Sequence, residues 1–316
     1  MQQRLNRLVL PLLSLFFLGI SVWAIAEQLR EYDYREVLNS LGSIPGDRLL
    51  LSLVFTALNY LLLTGYDILG WRYIRRRLRK RKIVLAAFIS HALGNSVGIG
   101  LLTGSAIRFR FYSGWGLSPV ESAQVIAFSN ISFWLGIVAV GGVAFLRPSL
   151  TIPSWLNLPF DSTFLLGLIF LTIAGGYIAG SFWLKRPFQI RNWRFFFPSP
   201  NLAIAQMAIA SLDWIVAGAV LYVLLPPSIP ITFPAFFGAY LIAQIAGIIS
   251  PVPGGLGIFE TIVLWILSPT IPSTTLFAVL LVYRVIYFLL PLGVAVLLLG
   301  TYEFWQRLQP KLSKYK

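Results

Sequence analysis

An apolar region in the C-terminal third of the chain is interrupted by Ser250-Pro251-Val252-Pro253-Gly254-Gly255-Leu256-Gly257-Ile258-Phe259-Glu260. Proline removes a backbone donor and glycine tolerates positive φ, so a regular helix cannot continue through this stretch. The flanking residues, 235–249 and 261–267, are as apolar as a membrane-spanning helix. Irregular backbone at membrane depth persists only where protein or a water-filled cavity satisfies its polar groups. The stretch is therefore the first candidate for a functional site.

The composition of the chain predicts an all-α polytopic membrane protein. Of its 316 residues, 57% are hydrophobic and only 11% are charged, against about 25% charged in a soluble domain. The apolar residues fall in long runs rather than in alternation or in one helical stripe, which indicates spanning helices. We expect one integral membrane domain over residues 1–316.

The same composition excludes several functions. The chain has no cysteine and one histidine, His91, so it lacks a thiolate or histidine-rich metal site. It also has no Gly-x-x-x-x-Gly-Lys-Ser/Thr loop for binding nucleotide phosphates. We predict no metal, no cofactor and no catalytic residues, and we expect His91 to be a hydrogen-bonded packing residue. The net charge of +14 is explained by basic cytoplasmic loops, so nucleic acid is not an expected partner.

The apolar runs predict six spanning helices, at about residues 8–26, 49–71, 121–146, 163–184, 201–225 and 273–300. Residues 27–48 are predicted to include a short amphipathic surface helix. Two further apolar regions, residues 83–103 and 234–267, are interrupted by glycine and polar residues. We expect each to enter and leave the membrane on one side as a re-entrant hairpin, with tips at residues 94–104 and 250–260. The alternative is eight full spans.

Basic residues predict the orientation. With two hairpins, twenty of the 25 lysine and arginine residues lie on one side, eight of them within residues 72–82, and four lie on the other. Arg284 remains within the membrane. Because positive charge collects in cytoplasmic loops, both termini, including the basic tail at residues 301–316, are predicted to be cytoplasmic.

The order of elements predicts two inverted repeats, at about residues 1–146 and 163–300. Each contains three transmembrane helices and one re-entrant hairpin, and an odd number of crossings inverts the second repeat. In transporters built in this way, broken segments at matching positions of the two halves mark the binding site. The matching segments here are the two hairpin tips.

Four ionisable residues lie inside apolar segments: Asp67, Asp213, Glu260 and Arg284. Each costs about 2.5–3.5 kcal/mol at a helix centre, so each needs a partner or a cavity. Arg284 either pairs with Asp213 or Glu260 to hold helices together, or binds a headgroup phosphate with its planar fork. Glu260 is placed to cap a helix that begins after Gly257, and it can also pair with a cationic headgroup. Asp67, near the cytoplasmic end of the second span, is expected either to extend to the surface or to bind residues beside Arg72.

Backbone and neutral donors complete the predicted site. A helix that restarts after Gly257 directs free N–H groups towards the hairpin tip, where an anion can bind. Arg108 and Arg110 lie where the first hairpin re-emerges from the membrane. They either reach the phosphates of the cytoplasmic leaflet or serve as topology anchors. The candidate substrate-path residues are Asn95, Ser96, Arg108, Arg110, Asp213, Ser250, Pro251, Pro253, Gly254, Gly255, Gly257, Glu260 and Arg284.

Two of these segments resemble a known family. Residues 251–260 are similar to a motif of the lysylphosphatidylglycerol synthetase transmembrane family. A second segment is similar to another motif of that family: Leu101-Leu102-Thr103-Gly104-Ser105-Ala106-Ile107-Arg108-Phe109-Arg110-Phe111-Tyr112. Arg284 with Tyr287 and Pro291 is a third, weaker match. The family comprises the membrane half of bifunctional MprF-type proteins and stand-alone relatives, and the resemblance covers nearly the whole chain.

The resemblance implies a lipid flippase of the bacterial inner membrane that handles a phosphate-bearing headgroup: a phospholipid, aminoacyl-phosphatidylglycerol or a polyprenyl-phosphate lipid. Bifunctional members carry a soluble synthetase domain after the membrane half, whereas this chain stops sixteen residues after Gly300. We therefore expect the chain not to be an enzyme. Two alternatives stay open: a non-transporting membrane partner of a lipid-modifying enzyme or glycosyltransferase, and a small-solute transporter.

Overall fold

A computed structural model of the chain describes residues 34–96, 100–146, 163–184, 188–190, 193–250, 252 and 255–312. The helices are α1 Tyr34–Gly42, α2 Gly46–Tyr73, α3 Lys80–Ser96, α4 Gly100–Gly114, α5 Pro119–Phe145, α6 Thr163–Trp183, α7 Pro200–Tyr222, α8 Phe233–Ile249, α9 Ile258–Leu267, α10 Ser273–Arg284 and α11 Leu290–Leu312. A short antiparallel ribbon pairs β1 Phe188–Ile190 with β2 Trp193–Phe195 in the predicted loop between α6 and α7.

Long apolar helices confirm the membrane class. Within the described residues, α2, α5, α6, α7 and the continuous helix Ser273–Trp305 are long and apolar enough to cross a bilayer. These are five of the six predicted spans; the sixth, residues 8–26, lies outside the described residues. Helix α6 is the most peripheral of these five, because only 11% of its most apolar 18-residue segment is buried inside the protein. Its apolar side chains therefore face the surroundings, as expected for lipid contact.

Two helical hairpins interrupt the spans, formed by α3 with α4 and by α8 with α9. Helix α9 has 10 residues, a rise of about 15 Å, which is half of the roughly 30 Å hydrocarbon core. Such a helix is too short for a full span, which favours a hairpin over a full span at α8–α9. Residues 97–99, 251, 253 and 254, at the tips, lie outside the described residues. The inverted relation between the two halves stays a prediction.

The helix starts follow from the sequence. Ser118 caps α5: its hydroxyl accepts from the Glu121 N–H at 3.2 Å, and the Glu121 carboxylate accepts from the Ser118 N–H at 2.9 Å. Gly257 begins α9 with φ +81°, a conformation that L-residues with a side chain rarely adopt. Glycine at this position therefore permits the sharp entry into α9 that the broken stretch predicted.

Helices α2 and α7 pack against each other at the centre of the protein, and α5 packs against α7. The second contact requires a glycine: a Cβ on Gly136 would lie 2.5 Å from Trp214 Cδ1 and 2.6 Å from the Ala210 carbonyl oxygen. One apolar core surrounds the α8–α9 hairpin with α7 and α10, and a second surrounds the α3–α4 hairpin with α2 and α11. Each hairpin is thus held in its own packed core.

Two further features position the site. Helix α1 lies on α10, where Val37 is buried beside Phe277 and Leu281, which confirms a short helix between the first two predicted spans. A π-helical turn, Val285–Leu289, follows directly after Arg284 and joins α10 to α11. The sequence did not predict it. Such turns occur inside α-helices at functional sites, and this one carries Tyr287 towards α2.

Candidate functional site

The first cluster of buried polar groups joins α2 to the α3–α4 hairpin. Arg108 on α4 donates from Nε to Asp67 Oδ1 at 2.9 Å and from Nη2 to Asp67 Oδ2 at 3.2 Å. The Tyr112 hydroxyl donates to Asp67 Oδ1 at 2.5 Å. His91 on α3 lies beside the pair, with Nε2 2.5 Å from Arg108 Nη2. Asp67 is fully buried and Arg108 is 3% exposed, so this two-pronged ion pair is closed to solvent.

This geometry corrects two expectations. Asp67 does not extend to the cytoplasmic surface, and Arg108 does not face leaflet phosphates. The packing of the α3–α4 hairpin against α2 places Asp67 beside Arg108, and the buried arginine is stabilised by this counter-charge. A glycine allows the approach: a Cβ on Gly104 would lie 3.0 Å from the Ser90 carbonyl oxygen and 3.3 Å from Arg108 Nη1.

The second cluster joins the α8–α9 hairpin to α10. The Gly257 N–H donates to Glu260 Oε2 at 2.9 Å, which confirms that Glu260 caps α9. Arg284 Nε donates to Glu260 Oε1, so the partner of Arg284 is Glu260 and not Asp213. The Arg284 guanidinium also lies over the Phe288 ring at 4.6 Å. Glu260 is 3% exposed and Arg284 is 5% exposed.

A hydrogen-bonded network on α2, α7 and the π-turn lies between the two clusters. Asp213 on α7 accepts from the Tyr66 hydroxyl at 2.6 Å and from Asn59 Nδ2 at 2.7 Å. Asn59 Oδ1 accepts from the Tyr287 hydroxyl at 2.8 Å. Tyr287 stacks on Tyr283 with ring centroids 5.2 Å apart. Ring contacts join the network to both ion pairs: the Tyr66 ring lies 6.1 Å from the ring of His91 beside Arg108, and the Tyr287 ring contacts Phe288, over which Arg284 lies.

Arg110 lies apart from this network. It pairs with Glu303 on α11, which is 6% exposed, and the sequence analysis did not select Glu303. Arg110 therefore holds the end of the α3–α4 hairpin against α11.

The remaining predicted residues lie at the hairpin tips. The Ser96 hydroxyl donates to the Ala92 carbonyl at 3.0 Å, and Ser250 Oγ accepts from the Val252 N–H at 3.0 Å. Gly255 has φ +61° and approaches Gly247 closely. Asn95 is partly buried beside Tyr60. The predicted residues Pro251, Pro253 and Gly254 lie outside the described residues.

Sequence reasoning missed Asn59 and Tyr66, although a signal was present. They lie seven residues apart on one face of α2, and most of that helix is strongly apolar. Counting polar residues by helical face places Asn59 and Tyr66 together, whereas Asp67 lies on a neighbouring face and contacts Arg108.

The two clusters define the chemistry that is present. Arg108 directs two donors of its fork at a carboxylate and Arg284 directs its Nε at another, and a phosphate offers acceptor oxygens of the same kind. Removing one partner of a buried ion pair costs about 3–5 kcal/mol, so each arginine is held to its carboxylate. Among the described residues, no group of three histidine, cysteine, aspartate or glutamate side chains could hold a metal ion.

Five apolar helices, two hairpins and a polar network between two buried ion pairs together define a polytopic α-helical membrane protein with a charged core. Residues 12–295 match the family model described as "Lysylphosphatidylglycerol synthase TM region". The chain belongs to this family.

Relatives in the family differ in length. The chain is 42% identical to the protein slr0712 of Synechocystis over 99% of this chain and 97% of that protein. It is 30% identical to the inner membrane protein YbhN of Escherichia coli, over 90% of this chain and 88% of YbhN. It is 23% identical to the phosphatidylglycerol lysyltransferase of Staphylococcus haemolyticus over 96% of this chain, but only 36% of that enzyme. The chain thus corresponds to about a third of the lysyltransferase.

Proposed function

We propose that the protein translocates a lipid with a phosphate-bearing headgroup between the two leaflets of the bacterial inner membrane. The observation that carries the proposal is the pair of buried arginine–carboxylate clusters, one on each helical hairpin, linked by a polar network through an apolar body. A structural role alone needs no such connection. Burying this many polar groups is costly in a membrane, where intramembrane ionisable residues mark substrate pathways.

The mechanism that follows is an exchange of anions. A headgroup phosphate replaces the carboxylate of Asp67 on Arg108, or that of Glu260 on Arg284, because both anions accept two parallel hydrogen bonds from the guanidinium. The acyl chains remain in lipid while the headgroup moves along the network. The displaced carboxylate stays close by and can pair with a cationic headgroup. Neither step breaks a covalent bond, so the protein acts as a transporter and not as an enzyme.

The arrangement in the membrane is part of the proposal. The α3–α4 hairpin enters from the cytoplasmic side and the α8–α9 hairpin from the opposite side, as halves of an inverted repeat with both termini cytoplasmic. Each arginine is then reached from one leaflet. Single cysteines test this cleanly because the chain has none of its own. A cysteine at Ser105 labelled only from outside the cell would contradict the arrangement.

Lipid movement is tested with the purified protein in vesicles containing fluorescently labelled phosphatidylglycerol, with bleaching of the outer leaflet as the readout. A second set of vesicles with a labelled polyprenyl phosphate shows whether the protein moves a phospholipid or a polyprenyl-phosphate lipid. Arg108→Lys and Arg284→Lys keep the charge but remove the planar fork, and each loses one or more charge-assisted hydrogen bonds of about 1.5–3 kcal/mol. We expect movement to slow by about tenfold or more, since about 1.4 kcal/mol corresponds to tenfold.

Arg76→Lys is the matched control, because Arg76 pairs with Glu121 at 2.7 Å on the surface with 61% of its side chain exposed. It should leave lipid movement unchanged. Wild-type protein that moves neither lipid would refute the proposal. Lysine variants of both buried arginines that match the wild-type rate would refute the exchange mechanism.

A second candidate is a non-transporting partner of a lipid-modifying enzyme. It is favoured by the lysyltransferase of S. haemolyticus, in which the region similar to this chain is 36% of a longer protein. Copurification with such an enzyme in a fixed ratio, with vesicles in which no lipid moves, would support this function over transport.

A further inference from the structure

Asp213 differs from the other buried carboxyl groups. Across the described part of the chain, four carboxyl groups are buried. Three of them pair with an arginine: Asp67, Glu260 and Glu303. Asp213 is 3% exposed, and its partners are the Tyr66 hydroxyl and the Asn59 amide. A buried carboxylate that has hydrogen bonds but no counter-charge is poised to take up a proton.

The elements around Asp213 supply no cation within ion-pair distance. Helix α7 packs against α2, α5, α6, α8 and α10. The charged residues on these helices are Asp47, Arg48, Asp67, Arg72, Glu121 and Arg284. Within the described residues, none of them forms a salt bridge with Asp213, whose side-chain hydrogen-bond partners are Tyr66 and Asn59.

Neutral phenols face Asp213 instead. Besides Tyr66, the side chains of Tyr60, Tyr240 and Tyr287 lie near enough to interact with it electrostatically. A neutral phenol donates a hydrogen bond to an acceptor but does not neutralise a charge. The surroundings of Asp213 are therefore polar and uncharged, unlike those of Asp67 and Glu260.

We propose that Asp213 is a proton-binding site that couples lipid movement to the proton gradient. A proton from water on one side forms an O–H bond at the Asp213 carboxyl, and the carboxylate loses its negative charge. The same bond breaks when the proton returns to water on the other side. The coupling, though not the proton binding, rests on the function proposed above.

The position of Asp213 explains how one proton would affect both hairpins. In its charged form the carboxylate accepts from Tyr66 and from Asn59; once protonated, it gains an O–H that needs an acceptor, and its hydroxyl oxygen accepts more weakly from the partner that donates to it. The Tyr66 ring contacts His91, which lies beside Arg108. Asn59 holds Tyr287 in the π-turn that follows Arg284. Protonation thus alters the hydrogen bonding beside both arginine–carboxylate pairs at once.

Proton binding is tested without lipid transport, by infrared difference spectroscopy of the protein in lipid nanodiscs between acidic and alkaline buffers. The wild type should show the carbonyl stretching band of a buried carboxylic acid, shifted in heavy water. Asp213→Asn should remove the band. Asp47→Asn, at an exposed position of α2, should leave it unchanged. Tyr66→Phe removes one donor to the carboxylate, so the band should persist to more alkaline pH; this variant also serves if Asp213→Asn does not fold.

Coupling is tested in vesicles with labelled phosphatidylglycerol, with and without an imposed pH gradient. Wild-type movement should accelerate with the gradient, whereas Asp213→Asn should move lipid at one rate in both conditions. The proposal is overturned if no infrared band depends on Asp213, or if Asp213→Asn responds to the gradient as the wild type does. A band that depends on Asp213 in a protein that moves no lipid would support the proton site and refute the transport function alone.

Discussion

The Asp67→Asn substitution is expected to lower the free energy of unfolding by about 3–5 kcal/mol, because it leaves a buried guanidinium without its counter-charge. Arg108 is 3% exposed and cannot turn to solvent. The amide keeps the shape of the carboxylate and one oxygen acceptor, so the hydrogen bond from Tyr112 can remain. The two contacts from Arg108, at 2.9 Å and 3.2 Å, are the ones that lose their charge.

The magnitude follows independently from those contacts. A hydrogen bond to a charged group contributes about 1.5–3 kcal/mol, and the pair has two. The assay is reversible unfolding from lipid–detergent bicelles by a denaturing detergent, followed by tryptophan fluorescence, which the 10 tryptophans of the chain provide. A double variant, Asp67→Asn with Arg108→Gln, should lose less than Asp67→Asn alone, because no unpaired charge stays buried.

The control makes the same chemical change in an exposed pair. Glu121→Gln removes the charge that faces Arg76, whose side chain is 61% exposed, while glutamine still completes the capping box with Ser118. An exposed ion pair contributes about 0–1 kcal/mol. Equal losses for Asp67→Asn and Glu121→Gln would refute the reasoning, since they would mean that Arg108 does not depend on Asp67 for its counter-charge.

Backbone packing provides two further predictions, measured by the same unfolding assay. Gly136→Val should destabilise the protein by about 1–3 kcal/mol through overpacking, because its Cβ would lie 2.5 Å from Trp214. Gly175→Val is the control and should change the stability little, because a Cβ there meets open space. Equal losses of stability for the two variants would contradict the α5–α7 contact. Gly257→Ala should lower the stability by about 1–3 kcal/mol because of the positive φ. Gly293→Ala is the control: it lies inside α11 with open space around it and should be neutral or stabilising by about 0.5–1 kcal/mol. A Gly257→Ala variant as stable as the wild type would contradict the conformation at the start of α9.

Much of the fold could be predicted because its signals are local. Long apolar runs set the spanning helices, and the prolines and glycines of residues 250–260 end one helix and begin another. The capping role of Glu260 was visible from its spacing to Gly257, because a glutamate three residues into a helix reaches back to the first N–H groups. The π-turn after Arg284 left no such signal, since Val285–Leu289 reads as ordinary apolar helix.

The sequence by itself determined that Asp213, Glu260 and Arg284 would be buried, because they lie in segments that only a membrane or a protein core accommodates. The tertiary structure added Asp67, Arg108 and Glu303 to the buried charges. Only the tertiary structure decided their partners. Asp67 pairs with Arg108, 41 residues away, and Arg284 pairs with Glu260 rather than Asp213. The reason is physical: hydropathy depends on local composition, whereas an ion pair depends on which helix faces meet, and that is settled by the packing of α2, α7 and the two hairpins.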